Sequence, residues 1–268
     1  MNEVTRTRGK RQPNGAPVVD RALALLDCFD ADHRYLTLAE LSRRSGIPAS
    51  SALRLATRLV AWGALERVAD GSFCVGVRLY EVGSLAPRGR SLRDVSLPYM
   101  GDLAEATRQH VLLAVRQGDE AILIERLSGQ QAIPTLYEVG GRLPLHSTGV
   151  GLILLAYADD AFRRSYLAQP LSREPEHTPI DPVTLDRTLV EARRQRSVTF
   201  HRLVPTEILS VAVPVFGADD SVIAAVSVVV PETQMDPRLV IPALTTVSRA
   251  ISRALGARRS VRLTTPRS

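Results

Sequence analysis

Two sets of residues in this 268-residue chain have types and spacing that could do chemistry. The first is Ser147-Thr148-Gly149-Val150-Gly151, which leads into an apolar run expected to be a helix over 152–158. Free backbone N–H groups and the helix dipole at such a start favour a carboxylate or another small anion. Two later segments, 209–216 and 221–230, read as strands. Period-2 alternation puts Ile208, Ser210 and Ala212 on one face, and Ala225, Ser227 and Val229 on one face of the neighbour. Small or hydroxyl-bearing side chains there would leave space beside a sheet and supply a few directional hydrogen bonds. The expected binding surface is therefore the loop Ser147, Thr148, Gly149, Val150 and Gly151 together with these two strand faces. The competing reading is that small residues merely let a helix pack closely on the sheet.

The second set lies between residues 37 and 75. Ala49, Ser50, Ser51, Arg54 and Arg58 would line the open side of one helix, whose buried stripe is Ala52, Leu55 and Leu59. Serines and arginines near a helix start reach base edges and phosphates. The flanking signals are specific in combination. Thr37 and Glu40 form a capping box ahead of Leu38 and Leu41. Gly46 suits a helix end and Pro48 the next helix start. Gly63 ends that helix, and Asp70-Gly71 makes a hairpin turn between two short strands. The order predicts a winged helix-turn-helix, with Arg43, Arg44 and the wing residue Arg67 as further contacts to double-stranded DNA.

Catalytic templates find no match. There is no nucleophile elbow, zinc-protease helix or phosphate-binding Walker loop. The five histidines, His33, His110, His146, His177 and His201, have no ligand spacing, and His146 reads as a loop residue orienting its neighbours. Cys28 and Cys74 fall on apolar faces and read as small buried hydrophobes. No cofactor or metal is expected.

Charge agrees with the DNA-binding reading. Up to residue 90 there are 14 Arg/Lys against 9 Asp/Glu, a net of +5, and from 91 onward 20 against 19, a net of +1. Phosphate neutralisation needs the excess where it falls. Lys10 is the only lysine, and with Arg6, Arg8 and Arg11 it makes a basic arm. No apolar run approaches the ~18 residues of a membrane helix. No apolar leader marks the chain for export, so a cytoplasmic location without membrane contact is expected.

Around these sets the chain organises as α+β. A helix over 18–29 precedes the helix-turn-helix, and another over 77–85 follows the wing. Pro87-Arg88-Gly89 is read as a break, followed by a helix over 91–108. Strands are expected at 111–115, 121–125 and 133–139, a polar, proline-rich surface loop over 170–182, a helix over 182–195 started near Asp181, and a closing helix over 237–255. The expected domains are a disordered basic arm (1–17), a winged helix-turn-helix (18–79), a linker helix region (80–95), an effector-binding domain with an antiparallel sheet (96–257) and a disordered tail (258–268).

The same segments resemble the IclR (isocitrate lyase regulator) family of bacterial transcription factors. Val18-Val-Asp-Arg-Ala-Leu-Ala-Leu-Leu-Asp-Cys-Phe29 looks like the family's opening helix, and Leu38-Ala-Glu-Leu-Ser-Arg-Arg-Ser-Gly-Ile-Pro48 like its helix-turn. Gly141-Arg-Leu-Pro-Leu-His-Ser-Thr-Gly149 and Ser210-Val-Ala-Val-Pro-Val-Phe216 look like its effector-domain signatures. The resemblance implies a winged helix-turn-helix, a linker helix, a GAF-like effector domain, and homodimers or homotetramers that bind small organic acids. It puts the family's pocket loop on Gly149 and Val150 and its pocket strands on Ile208, Ser210 and Ser227. The chain departs at Leu152, where a lysine is usual, and at Arg196-Ser197, where a Gly-Tyr pair is usual.

The resulting expectation is a repressor-type, sequence-specific DNA-binding regulator modulated by a small-molecule effector such as a carboxylate, without catalysis. The alternative is a small-molecule enzyme with an appended winged-helix module. An enzyme pocket should hold a titratable pair of perturbed acidity, and the pocket strands carry none. A second alternative is an effector domain that serves only assembly.

Overall fold

The computed structural model describes residues 16–30, 32–85, 87–130, 132, 138–173, 178–179, 181–202, 208–231 and 237–258. The arm residues Arg6, Arg8, Lys10 and Arg11 lie outside them, as do residues 133–137 of the strand expected at 133–139 and the tail beyond residue 258. The chain divides into two compact units, Met1–Pro87 and Arg88–Ser268.

The first unit runs α1 (Val18–Leu26), β1 (Tyr35–Leu36), α2 (Leu38–Ser45), α3 (Ala49–Trp62), β2 (Leu65–Arg67), β3 (Phe73–Val75) and α4 (Val77–Gly83). Local signals start and stop the helices. The Thr37 hydroxyl accepts from the Glu40 N–H at 3.3 Å while the Glu40 carboxylate accepts from the Thr37 N–H at 2.8 Å. These paired bonds satisfy donors that a helix start leaves open, and they hold the Glu40 carboxyl below its usual range. Gly46 and Gly63 end α2 and α3 with φ of 70° and 88°, a left-handed backbone that favours glycine. Leu25, Leu36, Leu41, Ala52, Leu55 and Phe73 form one buried cluster that fixes α3 against the other elements. The hairpin is wider than expected, because β1 adds a third strand in the order β1-β3-β2.

The second unit runs α5 (Pro87–Thr107), β4 (His110–Gln117), β5 (Glu120–Ser128), β6 (Arg142–Pro144), α6 (Gly149–Ala156), α7 (Asp160–Leu167), β7 (Ser172–Arg173), β8 (Thr178–Pro179), α8 (Pro182–Gln195), β9 (Val198–Arg202), β10 (Ile208–Phe216), β11 (Val222–Pro231) and α9 (Pro237–Ala254). Its main sheet has the order β6-β5-β4-β11-β10-β9, with antiparallel neighbours throughout. Alternation along the strands feeds two cores. One face packs Leu112, Ala212, Ala225 and Val229 with α6 and α8 residues such as Ile153 and Leu189. The other packs Leu113, Val213, Val226 and Val228 with Met100 of α5 and Leu244 of α9.

Several expectations are corrected. Pro87-Arg88-Gly89 is not a break; it opens α5, because proline lacks an N–H that the first helical turn does not need. The same helix ends at Thr107, and Arg108 follows with φ 56°. α1 stops at Leu26 rather than 29, and α4 at Gly83 rather than 85. Part of the loop expected over 170–182 is the β7–β8 pair. The helix α7 and the edge strand β9 were not expected. Asp159 marked the first, since its carboxylate accepts from the Phe162 N–H at 2.8 Å. Val198 and Phe200, both buried, marked the second.

Arg196 ends α8 in the left-handed region at φ 56°, where the family resemblance expects glycine. Such a backbone costs an L-residue about 1–2 kcal/mol, partly offset by glycine's extra freedom in the unfolded chain. Arg196→Gly is therefore expected to raise stability by up to about 1 kcal/mol. Equilibrium denaturation of the full chain checks this, and a lowered midpoint would contradict it.

Candidate functional site

The DNA-facing surface is built on α3. Ala49, Ser50, Leu53, Arg54, Thr57 and Arg58 are exposed and Ser51 is half-buried, so the buried stripe and the open side divide as helical spacing requires. Arg54 and Arg58 stand one turn apart on the exposed side. Arg43 is also exposed, but Arg44 is engaged: its guanidinium meets the Asp30 carboxylate at 2.8 Å, which ties α2 to the loop after α1. Asp30 also receives His33 at 2.6 Å.

The wing presents Arg67 at its open edge. The guanidinium lies 5.7 Å from the Phe73 ring centroid, and its Nε donates to the Gly71 carbonyl at 3.4 Å. Gly71 has φ 86°, and the Asp70 carboxylate accepts from the Ser72 N–H at 2.8 Å, so the turn is locally closed. Behind the wing, the Glu66 carboxylate accepts from the Val77 N–H at 3.1 Å and caps α4. A side chain on Gly76 would collide with the Gly63 carbonyl, so the end of α3 and the start of α4 meet backbone to backbone.

The small-molecule candidates come together in the second unit. Thr148 is the N-cap of α6: its hydroxyl accepts from the Gly151 N–H at 3.1 Å and donates to the Pro144 carbonyl at 2.9 Å. Among the described residues no side chain caps the N–H groups of Gly149 and Val150. The start of α6 lies directly on β10. A Cβ at Gly149 would collide with Ser210 Oγ and sit 3.1 Å from Ser210 Cβ and 3.4 Å from Ala212 Cβ. At that point the small residues serve close helix-on-sheet packing, and no open space separates Gly149 from Ser210. Ser147 is half-buried, while Thr148, Val150, Ile208 and Ser210 are buried. Leu152 is buried in the core rather than lining a charged site.

Ser227 differs from the rest. It is 0% exposed, and its Oγ has no hydrogen-bond partner among the described residues. Burying an unpaired hydroxyl costs free energy, and a bound polar group would recover it. Register shows what surrounds it. Ser227 pairs with Ala212 on β10 and with Leu112 on β4, and Val229 pairs with Ser210 and with His110. Opposed residues of antiparallel strands share a face. His110 therefore joins Ser210 and Ser227 on the α6 side, and Arg126, opposite Leu112, lies on it too. Neither basic residue is expected there from the sequence, whose alternation points to β10 and β11 as the walls. His110 is 5% exposed, with its Nδ1 3.0 Å from the Ser128 hydroxyl.

His146 orients its neighbours, as expected of a loop histidine. Its Nδ1 is 2.7 Å from the Tyr166 hydroxyl of α7, and burial pushes that phenol up to about 12. Among the described residues no His/Cys/Asp/Glu group could hold a metal ion, and no helix is long and apolar enough to cross a membrane. Cys28 is buried and Cys74 half-buried, both as free thiols.

A unit of four helices and a three-stranded wing, joined in sequence to a six-stranded antiparallel sheet flanked by helices, is the architecture of a two-domain transcriptional regulator. Its family follows from comparison. Residues 18–69 match the IclR helix-turn-helix domain, and residues 87–255 match the bacterial transcriptional regulator IclR C-terminal domain. The chain belongs to the IclR family of DNA-binding transcriptional regulators. It is 28% identical over 211 residues to the Pca regulon regulatory protein of Pseudomonas putida, covering 78% of this chain and 72% of that one. It is 27% identical over 248 residues to the transcriptional regulator XynR of Escherichia coli, covering 89% and 96%. A crystal structure of an IclR homolog from Microbacterium hydrocarbonoxydans, complexed with 4-hydroxybenzoate, is 33% identical with a TM-score of 0.84, covering 89% and 99%.

Proposed function

We propose that this regulator binds a pseudo-palindromic operator through α3 and the wing, and that a small organic acid changes that binding from a site beside Ser227. Ser50, Ser51, Arg54 and Arg58 read or steady the major groove, with Ala49 close to it. Arg43 and Arg67 meet phosphate. Arg44, held by Asp30 at 2.8 Å, adds a further phosphate contact from α2. In the second unit Ser147, Thr148, Gly149, Val150, Ile208, Ser210 and Ser227 belong to one effector site at the start of α6. The observation that carries the effector reading is the wholly buried, unpartnered Ser227 hydroxyl. The 4-hydroxybenzoate bound by the Microbacterium homolog supports an acid as the ligand class. No catalytic step is assigned.

Assembly as a homodimer or homotetramer fits the first unit. Val18 and Val19 of α1 and Val77 and Tyr80 of α4 are 64%, 67%, 62% and 75% exposed. A subunit contact would cover apolar side chains left this open, and a dimer would present two copies of α3 to two half-sites.

Footprinting and gel-shift titration on DNA flanking the regulator's own coding sequence test the reading. A protected site with dyad symmetry is expected, with apparent affinity changed about tenfold by at least one acid among formate, acetate, benzoate and 4-hydroxybenzoate, a coupling of ordinary allosteric size. No protected site, or no response to any of these acids, would overturn it.

A further inference from the structure

Among the described strand residues, the face of the sheet beneath α6 carries basic side chains but no aspartate or glutamate. Next to the unpartnered Ser227 hydroxyl stands His110, buried on the adjacent strand β4. Both Ser210 and His110 oppose Val229, two residues along from Ser227. Each is thus a diagonal neighbour of Ser227, about 7–8 Å away along the pleat and within reach of a side chain or a small ligand. Three buried polar side chains therefore surround Val229 on one face. The Nδ1 contact with Ser128 orients the imidazole, and Arg126 lies one strand beyond Leu112 on the same face.

We propose that His110 reads the effector's acid group. Its imidazole, with the hydroxyls of Ser227 and Ser210, receives a carboxylate whose apolar body lies against Phe200 and Ile208, which flank Ser210 on the same face. This assignment rests on the effector-site reading above. It names a small monocarboxylate with an apolar body as the ligand class, because the site offers donors and a basic ring at one end and hydrocarbon beside them. A neutral amide of the same shape would lose the charge-assisted part of the interaction.

Isothermal titration of the full chain tests it, using the tightest-binding of formate, acetate, benzoate and 4-hydroxybenzoate together with the corresponding amide. The wild-type chain is expected to prefer acid over amide by about tenfold or more. His110→Gln, which keeps a donor but not a basic ring, is expected to erase most of that preference. Ser227→Ala is expected to weaken acid binding about fivefold without lowering the melting temperature, since it removes a hydroxyl that has no partner among the described residues. A His110→Gln chain that folds and keeps the wild-type preference would overturn the assignment. Should that variant not melt cooperatively, Ser227→Ala decides: unchanged acid affinity would overturn it. A wild-type chain that binds none of the acids overturns the effector-site reading itself, and this assignment with it.

Discussion

Arg54→Ala is expected to weaken operator binding by about 5- to 150-fold, equivalent to ~1–3 kcal/mol, and to relax preference at one base pair. Arg54 is exposed on α3, one turn past Ser50 and Ser51, and no described acidic side chain holds it back. If it meets phosphate instead of a guanine, affinity falls on all sequences alike and the salt dependence becomes shallower. Gel-shift titration on specific and scrambled DNA at two salt concentrations separates these outcomes. Unchanged affinity on both DNAs would remove Arg54 from the interface. Arg44→Ala is the informative contrast, because Arg44 is paired with Asp30 at 2.8 Å and its loss also releases the loop after α1.

Gly149→Val is expected to abolish the response to the effector while leaving operator affinity in its absence near the wild-type value. The first turn of α6 rests on β10 at this residue, and any Cβ collides with Ser210 Oγ. A valine would push the uncapped N–H groups of Gly149 and Val150 away from Ser210 and Ser227. Overpacking of this kind costs about 1–3 kcal/mol, borne by the effector unit rather than by the separate core around Leu41 and Phe73. Gly101→Ala is the matched control, since nothing lies within 4 Å of a Cβ there. Acid titration of operator complexes reads the result. A Gly149→Val chain that still responds fully would place the acid elsewhere.

The features legible in the sequence are those whose physics is local. The Thr37–Glu40 capping box, the Gly46 and Gly63 helix ends and the Asp181 cap of α8 each depend on residues a few positions apart, and each stands where expected. Alternation along β10 and β11 likewise showed that Ser210 and Ser227 face the same way as Ala212 and Val229. Weak or ambiguous local signals misled. The two-residue β1 has no periodicity to detect, and Pro87 can end one helix or begin another.

Tertiary structure decided what lies across from what. Nothing within the segment around His110 says that it stands beside Val229 and Ser227, because that neighbour relation is set by the β4–β11 register between strands far apart in the chain. The same holds for Arg44, whose partner Asp30 comes from another element, and for Gly149, where contact with Ser210 turns an expected opening into a packed joint. In the sequence alone, the resemblance of whole segments carried the family, and caps, periodicity and charge carried the two-part organisation, because these act over a few residues. Only the folded sheet, by fixing which strands are neighbours and in which register, determined that a buried histidine and an unpartnered hydroxyl share one face.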